Sequence, residues 1–314
     1  MKVRRRAAAR SKNKRDYSGR TMDMGNDGTL QLVSLPGIQS FTDRALLGFL
    51  KSFAGLNRDY EIQKWRKDFR LGAGVGAFSV SVMYGMDAGW AVEGAVGSEY
   101  KIDATYLSPH VNMASRMMSA TKQYGVTILL SQAVEKLLST AARSKLRHLD
   151  TVKVKGSNVA QQIFTFDARH ETVDFFLFER TPDQADAEAE AYTTHVWEND
   201  QDLNAMRQHV SDEFMHKFKE GVDLYLDGKW KKAVEKLKDA DDIMIETVLE
   251  SGYVDFDDID DLDQILNRNN RSEEVERARS EIGDGPCKCL IQYMERRNCA
   301  PPKHWGGFRA LMSK

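Results

Sequence analysis

Hydrophobic and polar positions in the first part of the chain follow helical spacing and then strand spacing. Apolar residues recur every three or four positions over 42–69, which predicts a helix with Thr42 as its N-cap. Residues 78–86 alternate between apolar and polar side chains, and this alternation predicts a strand. Gly89 marks a turn, after which WAVEGAVG is expected to return as the partner strand.

A second group of elements follows this pair. A helix is predicted from about Pro109 to Tyr124, with Gly125 at its C-cap. The apolar run VTILL is typical of a strand buried on both faces, and Ser131 is placed to cap another helix. Two further strands, LDTVKVKG and QQIFTFD, complete the group. This order predicts an α+β fold with helices on one face of a mostly antiparallel sheet.

The second half of the chain begins with a stretch that has the composition of a linker. Apolar residues then follow at the spacing that is typical of helices. From about residue 205, small and large apolar residues recur as they do in one tetratricopeptide-like helix pair. These residues are Gly221, Leu224, Gly228, Trp230, Ala233, Leu237 and Ala240. One such unit cannot bury its own apolar face, so we expect it to dock on the preceding domain, on the helices after it or on a partner.

These patterns divide the 314 residues into four parts. We predict a disordered basic and polar tail over 1–40, an α+β domain over 41–168, an acidic linker over 169–204 and an all-α segment over 205–314. No stretch approaches the ~18 apolar residues of a membrane span, and a net charge of −2 does not favour nucleic acid as a partner. Three cysteines favour a reducing compartment. The predicted location is the cytoplasm, or the cytoplasmic face of a membrane if upstream segments span one.

The α+β domain contains a specific combination of motifs. The stretch VMYGMDAGWAVEGAVGSEYKIDATYLSPHVNMASRM, followed by YGVTILLS and LDTVKVKGS, resembles the catalytic domain of class III adenylate and guanylate cyclases, most closely those of protists. The resemblance covers roughly residues 40–168 and includes the spaced glycines Gly85 and Gly89. The last part of the chain, closing with HWGGFRALMSK, resembles the helical tail of the same proteins. The resemblance implies a ferredoxin-like cyclase sheet with helices.

The resemblance also implies roles for three residues. In these enzymes the ribose 3′-hydroxyl attacks the α-phosphate and pyrophosphate leaves, so catalysis rests on positioning and charge stabilisation. Asn112 and Arg116 share one helix face because they lie four residues apart. Asn112 is implied to orient the ribose, and Arg116 to stabilise the transition state with its planar fork of donors. Lys155 matches the lysine that holds the terminal phosphates.

The position that distinguishes the purine base is implied less directly. In the family, a residue shortly before the motif Asn takes part in base recognition. This position is Thr105, or Asp103 if the chain has a one-residue insertion. Asp or Thr is more usual here in adenylate cyclases, whereas guanylate cyclases tend to place Cys, so ATP is favoured over GTP as the substrate.

The family binds two Mg²⁺ or Mn²⁺ ions through two Asp residues, and no metal ligand is predicted in this chain. Asp43 and Asp87 have a matching separation, but Asp87 falls in the strand turn and Asp43 opens an amphipathic helix. Asp43 is therefore expected to act with Thr42 at the helix N-terminus. The cyclase domain is predicted to be N-terminally incomplete, so that the metal ligands would come from a partner domain or a missing segment.

The resulting prediction is a nucleotidyl cyclase of intracellular signalling that is inactive on its own. It would convert a purine nucleoside triphosphate, preferentially ATP, to a 3′,5′-cyclic nucleotide and pyrophosphate. The predicted partners are a second cyclase domain, in a homodimer or heterodimer, and a protein that binds the helical tail. The alternative is a non-catalytic dimerisation or scaffold protein with a degenerate cyclase half and a helical partner-binding tail.

Overall fold

The computed structural model describes most of the central and C-terminal parts of the chain. The described residues are 14–15, 21–22, 32–65, 70, 82–98, 100–154, 159–169, 192–251, 275, 279 and 282–311. Most of the predicted basic tail, and the strand residues before Val82, lie outside these ranges. Within the described ranges, no helix combines the length and apolar composition that crossing a bilayer requires.

Helices form wherever the apolar spacing of the described residues is close to 3.6. They are α1 Ile38–Arg58, α2 Tyr60–Lys64, α3 Pro109–Tyr124, α4 Gln132–Leu137, α5 Thr140–Ser144, α6 Val196–Asn199, α7 Gln201–Met206, α8 Asp212–Leu226, α9 Trp230–Glu250 and α10 Gly285–Glu295. Gly125 ends α3 in the left-handed conformation, with φ of 65°, as predicted for its C-cap. Ser131 accepts a hydrogen bond from the Val134 N–H, which confirms its predicted role at the start of α4.

The strands form one mixed sheet and two separate pairs. The strands are β1 Lys14–Arg15, β2 Thr21–Met22, β3 Tyr84–Met86, β4 Val92–Gly97, β5 Ile102–Leu107, β6 Ile128–Ser131, β7 Leu146–Val154, β8 Gln161–Phe166 and β9 Arg309–Leu311. The main sheet has the order β3-β6-β8-β7-β9, while β1 pairs with β2 and β4 pairs with β5. Two of the four pairings in the main sheet, β3 with β6 and β7 with β9, are parallel.

Two sequence predictions about pairing are therefore wrong. The segment WAVEGAVG does not return alongside the strand before it, because β4 pairs in register with β5, from Val92 opposite Leu107 to Gly97 opposite Ile102. The main sheet is also mixed and not mostly antiparallel. The reason is that the hairpin β4–β5 and then α3 carry the chain from the end of β3 back to the start of β6, and a crossover that contains a helix joins parallel strands.

Both faces of the main sheet are covered, whereas the sequence analysis placed helices on one face only. Along β6, Leu129 belongs to a core shared with α3, α8, α9 and α10, and Ile128 and Leu130 belong to a core shared with α1, α4 and α7. Alternate side chains of one strand thus enter two different cores. The continuous apolar run of β6 was the signal for this arrangement, and all four residues of the strand are buried.

The first long helix begins earlier than its predicted cap. α1 starts at Ile38, after Gly37 in the left-handed conformation with φ of 77°, so Thr42 lies inside the helix. The Thr42 hydroxyl donates to the Ile38 carbonyl at 2.8 Å. Asp43 is fully buried and accepts the Ser139 N–H at 2.9 Å and the Tyr192 hydroxyl. The predicted N-terminal roles of Thr42 and Asp43 are therefore wrong, because Asp43 joins α1 to other parts of the fold.

The end of the predicted acidic linker is packed structure. Residues 170–191 lie outside the described ranges, but Trp197 is buried and contacts the Phe166 ring at 6.1 Å between centroids. Asp200 and Asp202 are also buried, and each carboxylate pairs with the Lys51 ammonium of α1. These carboxylates are held by cations and are not solvated, which composition alone does not reveal.

The C-terminal segment docks on the preceding α+β domain and is not all-α. Helices α8 and α9 pack as a pair, and Gly221 lies so close to α9 that an added Cβ would be 2.7 Å from the Leu237 side chain. The pair shares one core with α3 and with strands β6, β7 and β8. The chain then adds β9 to the edge of the main sheet. Docking on the preceding domain was one of the three predicted solutions, and β9 was not predicted.

Candidate active site

The N-terminus of α3 is fixed by its cap. Ser108 has an extended backbone, and its hydroxyl oxygen accepts the His110 N–H at 2.9 Å while the hydroxyl donates to the Trp90 carbonyl. Pro109 occupies the first helical position, where its missing N–H leaves no bond unmade. The first turn of α3, which contains Asn112, is therefore anchored through Ser108 to the segment that precedes β4.

Asn112 and Arg116 lie one turn apart on α3, as the sequence predicted. Asn112 is exposed and Arg116 is half-buried. Within the described ranges, neither side chain has a hydrogen-bond or ion-pair partner. A half-buried guanidinium with no carboxylate beside it retains its donors for a bound anion. The two side chains are thus in position to meet the same ligand.

The opposite face of α3 lies directly on β3. A Cβ atom built on Gly85 would be 2.2 Å from the Ala114 carbonyl oxygen and 2.2 Å from the Met118 nitrogen. Only glycine allows this close approach of strand and helix. Ala114 and Met118 are the second neighbours of Arg116 on either side, so the contact fixes the part of the helix that carries the arginine.

A buried carboxylate that the sequence analysis did not assign holds the same helix. Asp87 follows β3, and its carboxylate accepts the Ser131 hydroxyl and lies 2.9 Å from His110 Nδ1. The imidazole occupies the space above Gly89, where an added Cβ would be 2.1 Å from its Cδ2 atom. The three polar residues are far apart in the sequence, so no local pattern predicts that they meet. The spaced glycines Gly85 and Gly89 are the one sequence feature that pointed to this end of β3. This cluster joins the N-terminus of α3 to the ends of β3 and β6.

The two candidate base-recognition residues lie on β5, the strand that leads into α3. Thr105 is half-buried opposite Gly94, and Asp103 is exposed opposite Val96. The two side chains point to the same face of the strand because they are two residues apart. Asp103 forms an exposed ion pair with Lys101 at 3.2 Å between Nζ and Oδ2. Lys155, the third predicted ligand-binding residue, lies outside the described ranges, immediately after the last residue of β7.

The described carboxylates do not fit the pair of metal ions that the family resemblance implies. The described ranges contain no cluster of three or more His, Cys, Asp or Glu side chains arranged to hold a metal ion. Asp43 and Asp87, whose separation matches the family pattern, are both occupied by protein donors.

Comparison with known proteins gives a family for the region that contains this site. The adenylate and guanylate cyclase catalytic domain family matches residues 59–173. An adenylate cyclase of Anabaena cylindrica is 41% identical over 90 residues, which cover 28% of this chain and 18% of that protein. Adenylate cyclase 1 of Rhizobium meliloti (strain 1021) is 36% identical over 81 residues, which cover 26% and 12%.

Two further matches extend the comparison. The adenylate cyclase, terminal-differentiation specific, of Dictyostelium discoideum is 27% identical over 172 residues, which cover 48% of this chain and 8% of that protein. A solved structure of a bacterial light-regulated adenylyl cyclase is 20% identical, covers 39% of this chain and 27% of that chain, and superposes with a TM-score of 0.21. A TM-score this low carries no argument about the fold.

The match over residues 59–173 supports a class III nucleotidyl cyclase catalytic domain in this region, as the sequence motifs predicted. The chain spans less than a fifth of the length of each of the curated relatives named here. Asn112 and Arg116, the buried Asp87 and the β4–β5 hairpin all lie inside this domain.

Proposed function

We propose that this chain is a nucleotidyl cyclase that supplies the ribose-binding and phosphate-binding half of a class III active site. The observation that carries the proposal is the position of Asn112 and Arg116, which share one face of a helix fixed along its length and have no partner within the described ranges. A helix held this firmly provides the preorganised donors that phosphoryl transfer needs.

In the proposed reaction, the 3′-hydroxyl oxygen of the nucleotide forms a bond to the α-phosphorus and loses its proton. The bond from that phosphorus to the oxygen that links it to the β-phosphate breaks, and this oxygen leaves with pyrophosphate while the proton passes to water, so a 3′,5′-cyclic nucleotide and pyrophosphate are formed. The Asn112 amide orients the ribose by hydrogen bonds, and the Arg116 guanidinium donates to the oxygens on which charge accumulates. Lys155 binds the terminal phosphates as a point charge.

The proposed second half of the site is another cyclase domain, either a second copy or a related chain. The hairpin β4–β5 supports this, because Val92, Val96, Ile102, Tyr106 and Leu107 are exposed and no described segment covers them. An isolated two-stranded hairpin is marginally stable in water, so a partner that covers it would also stabilise it. That partner would supply the carboxylates for Mg²⁺ or Mn²⁺, and the chain alone would have little activity.

We propose ATP as the preferred substrate, with Thr105 as the residue that contacts the base. Thr105 is half-buried and its hydroxyl is both a donor and an acceptor, whereas the Asp103 carboxylate already pairs with Lys101. Replacing Thr105 by Ala is expected to change the ratio of kcat/KM for ATP and GTP by about tenfold, because one hydrogen bond that distinguishes the bases is worth about 1.4 kcal/mol. Asp103→Ala is the matched control and should leave the ratio unchanged.

The experiment that tests the function measures cyclic nucleotide formation from ATP and from GTP with Mn²⁺. The chain is assayed alone and with a cyclase domain that retains both metal-binding Asp residues but has Ala in place of its own motif Asn and Arg. Activity is expected only in the mixture, and Arg116→Ala should lower it by about 100-fold or more. Lys122→Ala removes one exposed positive charge from the same helix and should leave the rate unchanged.

The alternative, a non-catalytic dimerisation partner, gives a different result in the same assay. A scaffold would form the complex through the β4–β5 hairpin but would produce no cyclic nucleotide. Complex formation without activity, with intact folding of both chains, would therefore reject the catalytic proposal and favour the scaffold.

A further inference from the structure

The C-terminal strand β9 contacts both β7 and α3, the helix that carries Asn112 and Arg116. It pairs in parallel with β7, with Arg309 opposite Val152 and Leu311 opposite Val154. Val154 is the residue before Lys155. At its other side, β9 reaches α3 through the side chain of Arg309. The strand β9 is therefore adjacent to the end of β7 and linked to α3.

Arg309 reaches α3 through a buried chain of polar contacts. Its Nε lies 2.7 Å from Asp150 Oδ2, and the same carboxylate oxygen accepts the Tyr124 hydroxyl of α3 at 2.7 Å. The other oxygen of Asp150 accepts the Thr151 N–H at 2.7 Å. Arg309, Asp150 and Tyr124 are buried, with at most 4% of each residue exposed. The contact of Arg309 Nε with Asp150 is a buried ion pair without hydrogen-bond geometry, whereas the Tyr124 hydroxyl makes a charge-assisted hydrogen bond to the same carboxylate.

The guanidinium also makes aromatic contacts that fix its orientation. It lies 5.0 Å from the centre of the Tyr124 ring and 4.8 Å from the centre of the Tyr293 ring of α10. Desolvation lowers the pKa of Arg309, whereas the neighbouring Tyr124 and Asp150 raise it. The net effect is a pKa above the ordinary value for arginine. Burial raises the pKa of Asp150, an effect that Arg309 and the Tyr124 hydroxyl oppose. Without Arg309, the ionised Asp150 would be a buried charge without its counter-ion.

The segment before β9 is in turn held by the helix pair α8–α9. Trp305 donates from Nε1 to the Leu226 carbonyl at 2.9 Å, and its ring meets the buried Trp230 ring edge to face at 5.1 Å. A second contact joins the C-terminal helices to the end of α3. Gly285, at the start of α10, lies so close to Tyr124 and Gly125 that a side chain would not fit there. The helical segment is therefore connected to the C-terminal end of α3 by close packing at Gly285 and, through Arg309 and Asp150, by polar contacts.

We propose that Arg309 is a positioning residue for the cyclase reaction, which holds the C-terminal end of α3 through Asp150 and Tyr124 and so sets the orientation of Asn112 and Arg116. This inference rests on the proposed function. The helical segment is, on this view, part of the catalytic unit, and a ligand or protein that displaced β9 would lower the catalytic rate without touching the nucleotide.

The test compares Arg309→Gln with wild type in the assay that contains the complementing cyclase domain. We expect kcat to fall about tenfold, which corresponds to about 1.4 kcal/mol, and KM to change by less than about twofold. Arg309→Lys keeps the charge and should restore part of the rate. Lys238→Gln breaks the exposed pair between Lys238 and Glu295 of α10, at 2.8 Å, and should have no effect.

A double-mutant cycle separates positioning from a loss of folded protein. If Arg309 acts through Asn112 and Arg116, then Arg309→Gln should lower the residual kcat of a variant with both Asn112→Ala and Arg116→Ala by less than about twofold. An equal proportional loss in both backgrounds would overturn the inference. Tyr124→Phe, which removes only the hydroxyl and leaves the ion pair of Arg309 with Asp150, provides a milder second variant and should lower kcat in the same manner.

Hydrogen exchange tests the connection without any turnover. Amides of residues 109–118 should exchange faster in Arg309→Gln than in wild type, and those of Lys238→Gln should not. Unchanged exchange in Arg309→Gln and in Tyr124→Phe would overturn the inference even if the enzyme is active. Faster exchange in a chain that never forms cyclic nucleotide would reject the proposed function while leaving the physical link between Arg309 and α3 established.

Discussion

A Cβ atom on Gly85 would lie 2.2 Å from the carbonyl oxygen of Ala114, so β3 and α3 meet backbone to backbone at this point. The contact lies on the side of the helix opposite Arg116. Together with the cluster of Asp87, His110 and Ser131 at the N-terminus of α3, it fixes the helix relative to the sheet. The glycine is therefore a condition for the geometry of the proposed site and not only a flexible point in the chain.

Replacing Gly85 by Ala should force β3 and α3 apart. We expect the free energy of unfolding to fall by about 1–3 kcal/mol, the usual cost of overpacking, and kcat in the complemented assay to fall with it. Chemical denaturation and initial rates measure the two effects. Gly48→Ala in α1 is the matched control, since no atom lies within 4 Å of its added Cβ, and it should stabilise the protein by about 0.5–1 kcal/mol. Similar stability of Gly85→Ala and wild type would contradict the close contact.

The buried carboxylate of Asp87 gives a second prediction. Asp87→Asn keeps the shape of the side chain but weakens the acceptor for Ser131 and alters the contact with His110, so stability should fall by about 1–3 kcal/mol. Because Asp87 is assigned a structural role, the Mn²⁺ concentration at half-maximal activity should stay unchanged. A titration of the complemented enzyme with Mn²⁺ measures this concentration. A marked increase in Asp87→Asn would show that Asp87 is a metal ligand after all.

The sequence predicted best those features that depend on nearby residues. The bounds of α3, its left-handed Gly125 and the helix face shared by Asn112 and Arg116 follow from local spacing and capping. Ser131 at the start of α4 follows from the same rules. Capping and periodicity are short-range effects, so a single sequence contains them completely.

Features that depend on distant pairing were not predictable in the same way. The partner of β4 is β5 and not the strand before it, because α3 directs β3 into a parallel pairing with β6. The contact of Arg309 with Asp150 joins residues that are far apart in the sequence but lie on paired strands, and nothing in the sequence around either residue indicates the other. The acidic composition around Asp200 and Asp202 predicted a linker, whereas the structure shows that both carboxylates pair with the Lys51 ammonium.

Stability should depend on pH through Asp241 of α9. Burial raises the pKa of this carboxyl to about 6 from an ordinary value of 3.8, although Lys288 and the Asp284 N–H, 2.6 Å from Oδ1, oppose the shift. The folded state therefore keeps the Asp241 proton to a higher pH than the unfolded state does. Folding binds a proton between about pH 4 and pH 6, so this contribution to stability falls as the pH rises through that window.

Asp241→Asn should abolish this dependence, because the amide keeps the Oδ1 acceptor for the Asp284 N–H and has no proton to lose. The variant should match wild type near pH 4 and exceed its stability near pH 7 by about 1–3 kcal/mol. Urea denaturation of both proteins at a series of pH values measures the difference. A variant that is less stable than wild type at pH 7 would show that the ionised carboxylate is favourable there.

The β4–β5 hairpin should be the surface on which the second cyclase domain assembles. Ile102 is 71% exposed on β5. A charge at this position would be desolvated in the complex, so Ile102→Lys should raise the Kd for the complementing domain by at least about tenfold. The maximal rate at saturating partner should recover, since Asn112 and Arg116 are unchanged. Phe41→Lys, at a residue 73% exposed on α1, is the matched control and should leave the Kd unchanged. Sedimentation velocity measures assembly, and an equal weakening by both variants, or by neither, would place the interface elsewhere.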